Sequence, residues 1–201
     1  MIEFIKAKSG DVTIKFEGKF LASSYDPRME GEQWAASLGP QLVGLKTAIV
    51  LGAGVGYQLE ALKKAYPHLQ IIVIEKRKAI LEAMRSNLHV SLLGIQILHV
   101  EATVEAFTAE MIRQGVKASY CVLRSVVSKH LDQSFYDQLQ MDLNGRSAFG
   151  FKNICEIRGR GENLVTEPKL AHFSYQDVPA AKIDADFERL VAQQIIRELV
   201  V

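Results

Sequence analysis

The chain has 201 residues, 48% of them hydrophobic, and 24 Lys and Arg stand against 23 Asp and Glu for a formal net charge of +1. That length and composition fit one α/β domain with a substantial core, and the near-zero charge excludes a global field drawing the chain onto nucleic acid or a membrane surface. No run approaches the roughly 20 apolar residues that span a bilayer and MIEFIKAKSG is too short an apolar run for a secretory leader, so the expectation is a cytoplasmic protein without membrane partners.

IEFIKA (2–7) and VTIKFE (12–17) are β-rich and KSGD between them supplies turn chemistry, which predicts an N-terminal hairpin; KFLASSY offers a third strand. Asp26-Pro27 places an N-cap residue before a proline at a first helical position, and the helix it opens runs through RMEGEQWAASL to Gly39-Pro40. Hairpin and helix together occupy residues 1–40.

From Thr47 short β-branched runs alternate with helical patterns: TAIVLG, VGYQLEALKKAY, QIIVIE, KAILEAMRSN, GIQILHV, TVEAFTAEMIRQG, ASYCVLRS and SFYDQLQMDL. Such alternation predicts βαβ units, a mostly parallel sheet and helices on both of its faces, a Rossmann-like α/β domain whose core spans residues 45–145. Residues 146–201 form an extension of that single domain. Within it FKNICEI has strand character and RGRGEN loop character, and the final stretch has Phe187, Leu190, Val191, Ile195, Ile196 and Leu199 at helical spacing. That C-terminal amphipathic helix either packs on the sheet or meets a partner, a second copy included.

The first core strand ends in Gly52-Ala53-Gly54-Val55-Gly56-Tyr57. Aligned on GxGxxG, Tyr57 falls where the last glycine belongs, which argues against NAD and flavin. What remains is GxGxG, a turn that lets backbone approach a ligand at the start of the next helix; tight strand-to-helix packing is the alternative use of the same glycines. Glu75 ends the second strand, where a carboxylate accepts both hydroxyls of a ribose or caps the helix near Lys78. Glu101 follows the third strand, placed for an adenine amino group or for capping. Turn and acids fall on the carboxyl ends of successive strands, where open α/β sheets bind ligands.

These residues resemble the class I S-adenosylmethionine-dependent methyltransferases over roughly residues 45–125. The resemblance implies an adenosyl cofactor, S-adenosylmethionine or its product, against Gly52, Gly54, Gly56 and Tyr57, with Glu75 on the ribose and Glu101 on the adenine. Such enzymes commonly begin the turn with an acid, and this chain has Gly52 there. Spermidine synthase-like proteins also have glycine at that place, but the aspartates they need after strand four are replaced here by CVLRSVVS. Aminopropyl transfer is therefore not implied.

A second resemblance covers more of the chain. Ser24-Tyr25-Asp26-Pro27 with Glu30 and Glu32, the turn from Gly52 to Tyr57, and Ile74-Glu75 are similar to the amino-terminal domain of the bacterial motility accessory factor family, flagellin glycosyltransferases. It implies a non-catalytic accessory domain that binds a nucleotide sugar or a partner protein, since that family's transfer chemistry is assigned to another domain.

Other candidates carry a second reading. Tyr25 either stacks on a substrate or staples the helix start, and Asp26 is an N-cap or a substrate-facing acid. Arg124, at the end of strand four, binds a carboxylate or phosphate or is a surface residue. Trp34 reads as packing, and Arg158 and Arg160 lie in a loop-like segment with no interleaved aromatics to mark nucleic-acid binding. His68, His89, His99, His130 and His172 lack ligand spacing, and Cys121 and Cys155 lie in apolar runs without CxxC spacing, so no metal is expected. No catalytic residue is assigned.

Overall fold

In the computed structural model the described residues are 2–87, 90–99 and 120–151. Glu101, the helix expected over TVEAFTAEMIRQG, Cys155, RGRGEN and the C-terminal amphipathic stretch lie outside them. The chain opens with an antiparallel sheet, β1 (Ile2–Lys6), β2 (Val12–Phe16) and β3 (Lys19–Phe20), in that order. Helix α1 (Pro27–Ser37) follows, then a short α2 (Gly39–Leu42) where Gly39-Pro40 ends the longer helix. The core consists of β4 (Thr47–Leu51), α3 (Tyr57–Ala65), β5 (Gln70–Glu75), α4 (Lys78–Arg85), β6 (Ile95–His99), β7 (Tyr120–Arg124), α5 (Val126–His130) and α6 (Gln133–Leu143). Residues 148–151 are helical.

β4, β5, β6 and β7 form one parallel sheet in the order β6-β5-β4-β7. The chain moves outward from β4 through β5 to β6 and then crosses back to the other side of β4. The order therefore reverses beside β4, at a topological switch point whose carboxyl end is the ligand crevice of open α/β sheets. This is the expected Rossmann-like α/β architecture, with the N-terminal hairpin in place.

Alternation along the strands divides the core. Ala48, Val50, Ile71, Val73 and Leu123 face Leu59 and Leu62 of α3, Leu81 and Met84 of α4, and Ala35 of α1. Ile49, Leu51, Ile72 and Ile74 face Tyr136, Leu139 and Leu143 of α6. With both faces covered, β4 is buried at every position, as an unbroken apolar strand of a parallel sheet requires. Truncating any one of these isoleucines to Ala removes about 2–5 kcal/mol, transfer and cavity together.

A third apolar cluster positions the site. Ile14, Phe16, Leu21 and Ala22 of the N-terminal sheet region pack on Val55, Tyr57, Ile80, Ala83, Val127 and Leu131. The small sheet thus rests on the glycine turn, α4 and α5 at the carboxyl edge of the large one. Among the described residues no helix is long and apolar enough to cross a membrane.

Candidate functional site

The turn after β4 is built on left-handed backbone: Gly52, Gly54 and Gly56 have φ of +86°, +60° and +101°. Their missing side chains also make room for neighbours. A Cβ on Gly52 would lie 2.5 Å from Ser125 Oγ, one on Gly54 3.2 Å from Val127 Cγ2, and one on Gly56 2.9 Å from Val90 Cγ1. Conformation and packing both call for glycine here.

Gly52 N–H donates to the Ile74 carbonyl at 2.8 Å, and Ala53 N–H donates to Glu75 Oε2 at 2.8 Å, so the turn is fastened to the end of β5. Glu75 is 1% exposed. Its Oε1 accepts from Arg77 N–H at 2.9 Å and from the Tyr136 hydroxyl at 3.0 Å. A carboxylate offers about four lone-pair sites; three are taken, and Oε2 keeps the fourth. Burial pushes the Glu75 pKa up, opposed by the bonds from Ala53, Arg77 and Tyr136. Burial, and then the Glu75 charge, also push the Tyr136 phenol well above its ordinary value. Tyr136 accepts in turn from Lys76 N–H at 3.2 Å, and His99 Nε2 lies 3.1 Å from the Lys76 carbonyl oxygen.

Around this group runs a rim of charge. Arg77 bonds Asp132 through Nε and Glu17 through one terminal nitrogen, at 2.5 and 2.7 Å, and Lys76 Nζ bonds Asp132 at 3.0 Å. Glu17 and Asp132 both have φ of +50°. Arg77 thereby ties the hairpin and the start of α6 to the segment after Glu75.

Arg124 Nε donates to Ser128 Oγ at 3.0 Å, a terminal nitrogen donates to the Ser128 carbonyl, and the other meets Asp137 and Gln140. Its guanidinium clamps α5 against α6 beside the turn; Ser128 Cβ is 3.2 Å from where a Gly52 Cβ would stand. Asp26 caps α1, accepting from Met29 N–H at 2.8 Å. Tyr25 is 62% exposed, lies under Lys8 Nζ at 3.8 Å, and its carbonyl accepts from Ser9 N–H. The structure thus gathers Gly52, Gly54, Gly56, Tyr57, Glu75 and Arg124 at one edge, while Tyr25 is tied to the turn between β1 and β2. Trp34 donates from Nε1 to the Arg124 carbonyl at 3.3 Å.

Sequence reading missed Tyr136, Arg77 and Asp132. Tyr136, Leu139 and Leu143 do share one helix face, a signal of burial, but nothing local announces that the hydroxyl meets a carboxylate 61 positions away. Cys121 is a half-buried free thiol whose pKa burial raises. No group of three or more His, Cys, Asp or Glu able to hold a metal is present among the described residues.

No protein-family model matches the chain, and no curated protein matches it. Among solved structures it is similar to a spermidine synthase in complex with the transition-state analogue AdoDATO, at 17% identity and a TM-score of 0.50. The match covers 79% of this chain and 59% of the synthase, so the chain spans less than two thirds of that enzyme's length. The likeness is one of fold, and it agrees with the Rossmann-like strand order of the parallel sheet.

Proposed function

We propose that the chain binds an adenosyl ligand, S-adenosylmethionine or its product, at the carboxyl ends of β4 and β5. The observation that carries this reading is Glu75 Oε2. It is anchored by Ala53 N–H of the glycine turn yet keeps an unused lone pair beside that turn, where a ribose hydroxyl would donate. The solved spermidine synthase, whose complex holds an adenosyl-type analogue by name, supports the same choice through its fold. Gly54, Gly56 and Tyr57 would lie along the ligand, and Glu101 would meet the adenine. Methyl transfer asks mainly for alignment of acceptor and methyl group, so a cytoplasmic methyltransferase without a dedicated base fits this arrangement.

One observation favours a second reading, an accessory domain of the motility accessory factor type that acts through a partner or a nucleotide sugar. All three turn glycines have a packing neighbour where a side chain would be, so their presence needs no ligand.

A thermal-shift screen of the whole chain against S-adenosylmethionine, S-adenosylhomocysteine, NAD and UDP- and CMP-sugars separates the two. A ligand at about 100 times its Kd stabilises by about 2.7 kcal/mol, on the order of 5–10 °C for a domain of this size. The first reading expects that shift with the adenosyl compounds and its loss in Glu75→Gln. A shift with sugar nucleotides alone, or with nothing, overturns it in favour of the second.

A further inference from the structure

The outer strand of the N-terminal sheet, β1, has a neighbour on one side alone, where its residues pair with β2 from Ile2↔Phe16 to Lys6↔Val12 without a bulge. Along β2 the backbone groups of Ile14 and Val12 turn away from β1: the Ile14 carbonyl accepts from Leu21 N–H, and both groups of Val12 meet the Tyr57 hydroxyl. In an antiparallel ladder, opposed residues that do not bond each other both turn outward. The N–H and C=O of Ile2, Phe4 and Lys6, opposite Phe16, Ile14 and Val12, therefore line the free edge of the sheet. No hydrogen bond among the described residues takes these groups up, whereas Glu3 and Ile5 turn theirs to Lys15 and Thr13.

Phe4, at the middle of that edge, is 53% exposed. It stands opposite Ile14, on the face of the small sheet whose Ile14 and Phe16 are buried in the cluster over the glycine turn, with Ile2 packed against them. Open edges are ordinarily blunted by a bulge, a proline or a central charge. Here the charges, Glu3 and Lys6, are exposed and flank an aromatic centre.

We propose that β1 pairs antiparallel with β1 of a second copy about a two-fold axis through Phe4, joining the two N-terminal sheets into one of six strands. An axis normal to the sheet keeps each face on its own side, so the register can move only in steps that preserve the alternation of side chains. Centred on Phe4, the pairing uses all five residues of the strand and matches outward backbone groups with outward backbone groups. Phe4 then opposes the partner's Phe4, Ile2 lies along the methylene stem of the partner's Lys6, and Glu3 opposes the partner's Ile5. Centring on Glu3 would set two carboxylates face to face, and centring on Ile5 would place Phe4 against a lysine and carry Ile2 past the end of the strand. The central register alone brings the two exposed rings together, and it continues each copy's cluster of Ile2, Ile14 and Phe16 across the axis.

A contact of one strand pair belongs with interfaces below about 1,200 Å², so the dimer is weak and its fraction rises with concentration. Sedimentation velocity on the whole chain from about 1 µM to 1 mM should show the mass moving from monomer toward dimer. Phe4→Lys sets two ammonium groups across the axis and touches no bond to β2. It should weaken association at least about tenfold, with the melting temperature of the monomer kept. Phe20→Lys, at the 43% exposed phenylalanine of β3, should change association by about twofold or less. Amide exchange of the unaltered chain, read by NMR, gives the register without a substitution: Phe4 and Lys6 amides should slow in step with the dimer fraction while those of Glu3 and Ile5 do not change. A chain that stays monomeric throughout overturns the proposal, as does an equal loss in Phe20→Lys. A dimer that survives Phe4→Lys, or one in which the Phe4 and Lys6 amides stay unprotected, places the contact on another surface and overturns it too.

Discussion

The phenol of Tyr57 serves both backbone groups of Val12, donating to its carbonyl at 3.1 Å and accepting from its N–H at 3.2 Å. Val12 and Ile14 point their backbone groups the same way along β2, and Ile14 accepts from Leu21 N–H just beyond β3. Because β3 is only two residues long, Val12 has no strand beside it on that side. The Tyr57 hydroxyl takes the missing strand's place, so the residue that breaks the dinucleotide fingerprint is also what fastens the hairpin over the turn.

Tyr57→Phe should therefore cost about 1–3 kcal/mol, the price of leaving a partly buried donor and acceptor unmet. Urea denaturation gives the loss, and hydrogen exchange gives its location: Val12 and Ile14 amides should exchange faster while those of β4 and β5 keep their protection. A variant as stable as wild type, with unchanged exchange, would show that the apolar cluster alone seats the hairpin.

Gly31 in α1 poses a contest between two effects. Ala at a helical position gains up to about 1 kcal/mol over Gly in propensity. Here its Cβ would stand 2.8 Å from Tyr57 C and 2.9 Å from Gln58 N, backbone atoms that cannot rotate away. Overpacking of that kind costs about 1–3 kcal/mol, so Gly31→Ala should be net destabilising despite the better helix former. A denaturation midpoint at or above that of wild type would mean that α1 can slide on α3 without loss.

Much of this contact map was readable from the chain, but unevenly. β4, β5 and the helices after them announce themselves because a fully apolar β-branched run, a glycine turn and a 3.6-residue period leave little else to fit. α5 does not: Val126–His130 follows β7 after one residue, and it is held by the Ser125 cap and by Arg124 bonds to Ser128 that exist only once the strand is in the sheet. Asp26 was readable as a cap because that chemistry is local. The partners of Glu75 were not, since Tyr136 arrives from α6 and Ala53 from the turn.

Two acids at the site should pull stability in opposite directions with pH. Burial raises the folded Glu75 pKa above an unfolded value of about 4.3, so the folded chain holds the extra proton between the two. Its contribution is therefore complete below about 4.3 and is lost as pH rises through the raised value. The Arg77 hydrogen bond, followed by that from Lys76, lowers the Asp132 pKa below about 3.9, and its contribution is present above that value and lost as pH falls through the folded one. Measured by urea unfolding, Glu75→Gln should gain on wild type as pH rises from about 4 toward 7, while the deficit of Asp132→Asn at neutral pH should shrink below about 4. A Glu75→Gln difference that stays flat across that range would place the ordinary carboxyl pKa in the folded state.

Arg124 offers the sharpest separation of scaffold from ligand contact. Its side chain is 13% exposed and its donors are spent on Ser128, Asp137 and Gln140, whereas Asp137 is 52% exposed. Removing the guanidinium leaves the carbonyl of fully buried Ser128 without its partner, so Arg124→Ala should cost about 1–3 kcal/mol. Asp137→Asn breaks only an exposed pair and should cost about 1 kcal/mol or less. Arg124→Lys should behave more like Ala than like wild type, since one ammonium cannot reach Ser128 and α6 together in the guanidinium's planar fork. If Arg124 instead orients an acceptor, Arg124→Ala will leave the urea midpoint near wild type while weakening acceptor binding, and the clamp assigned to it between α5 and α6 is wrong.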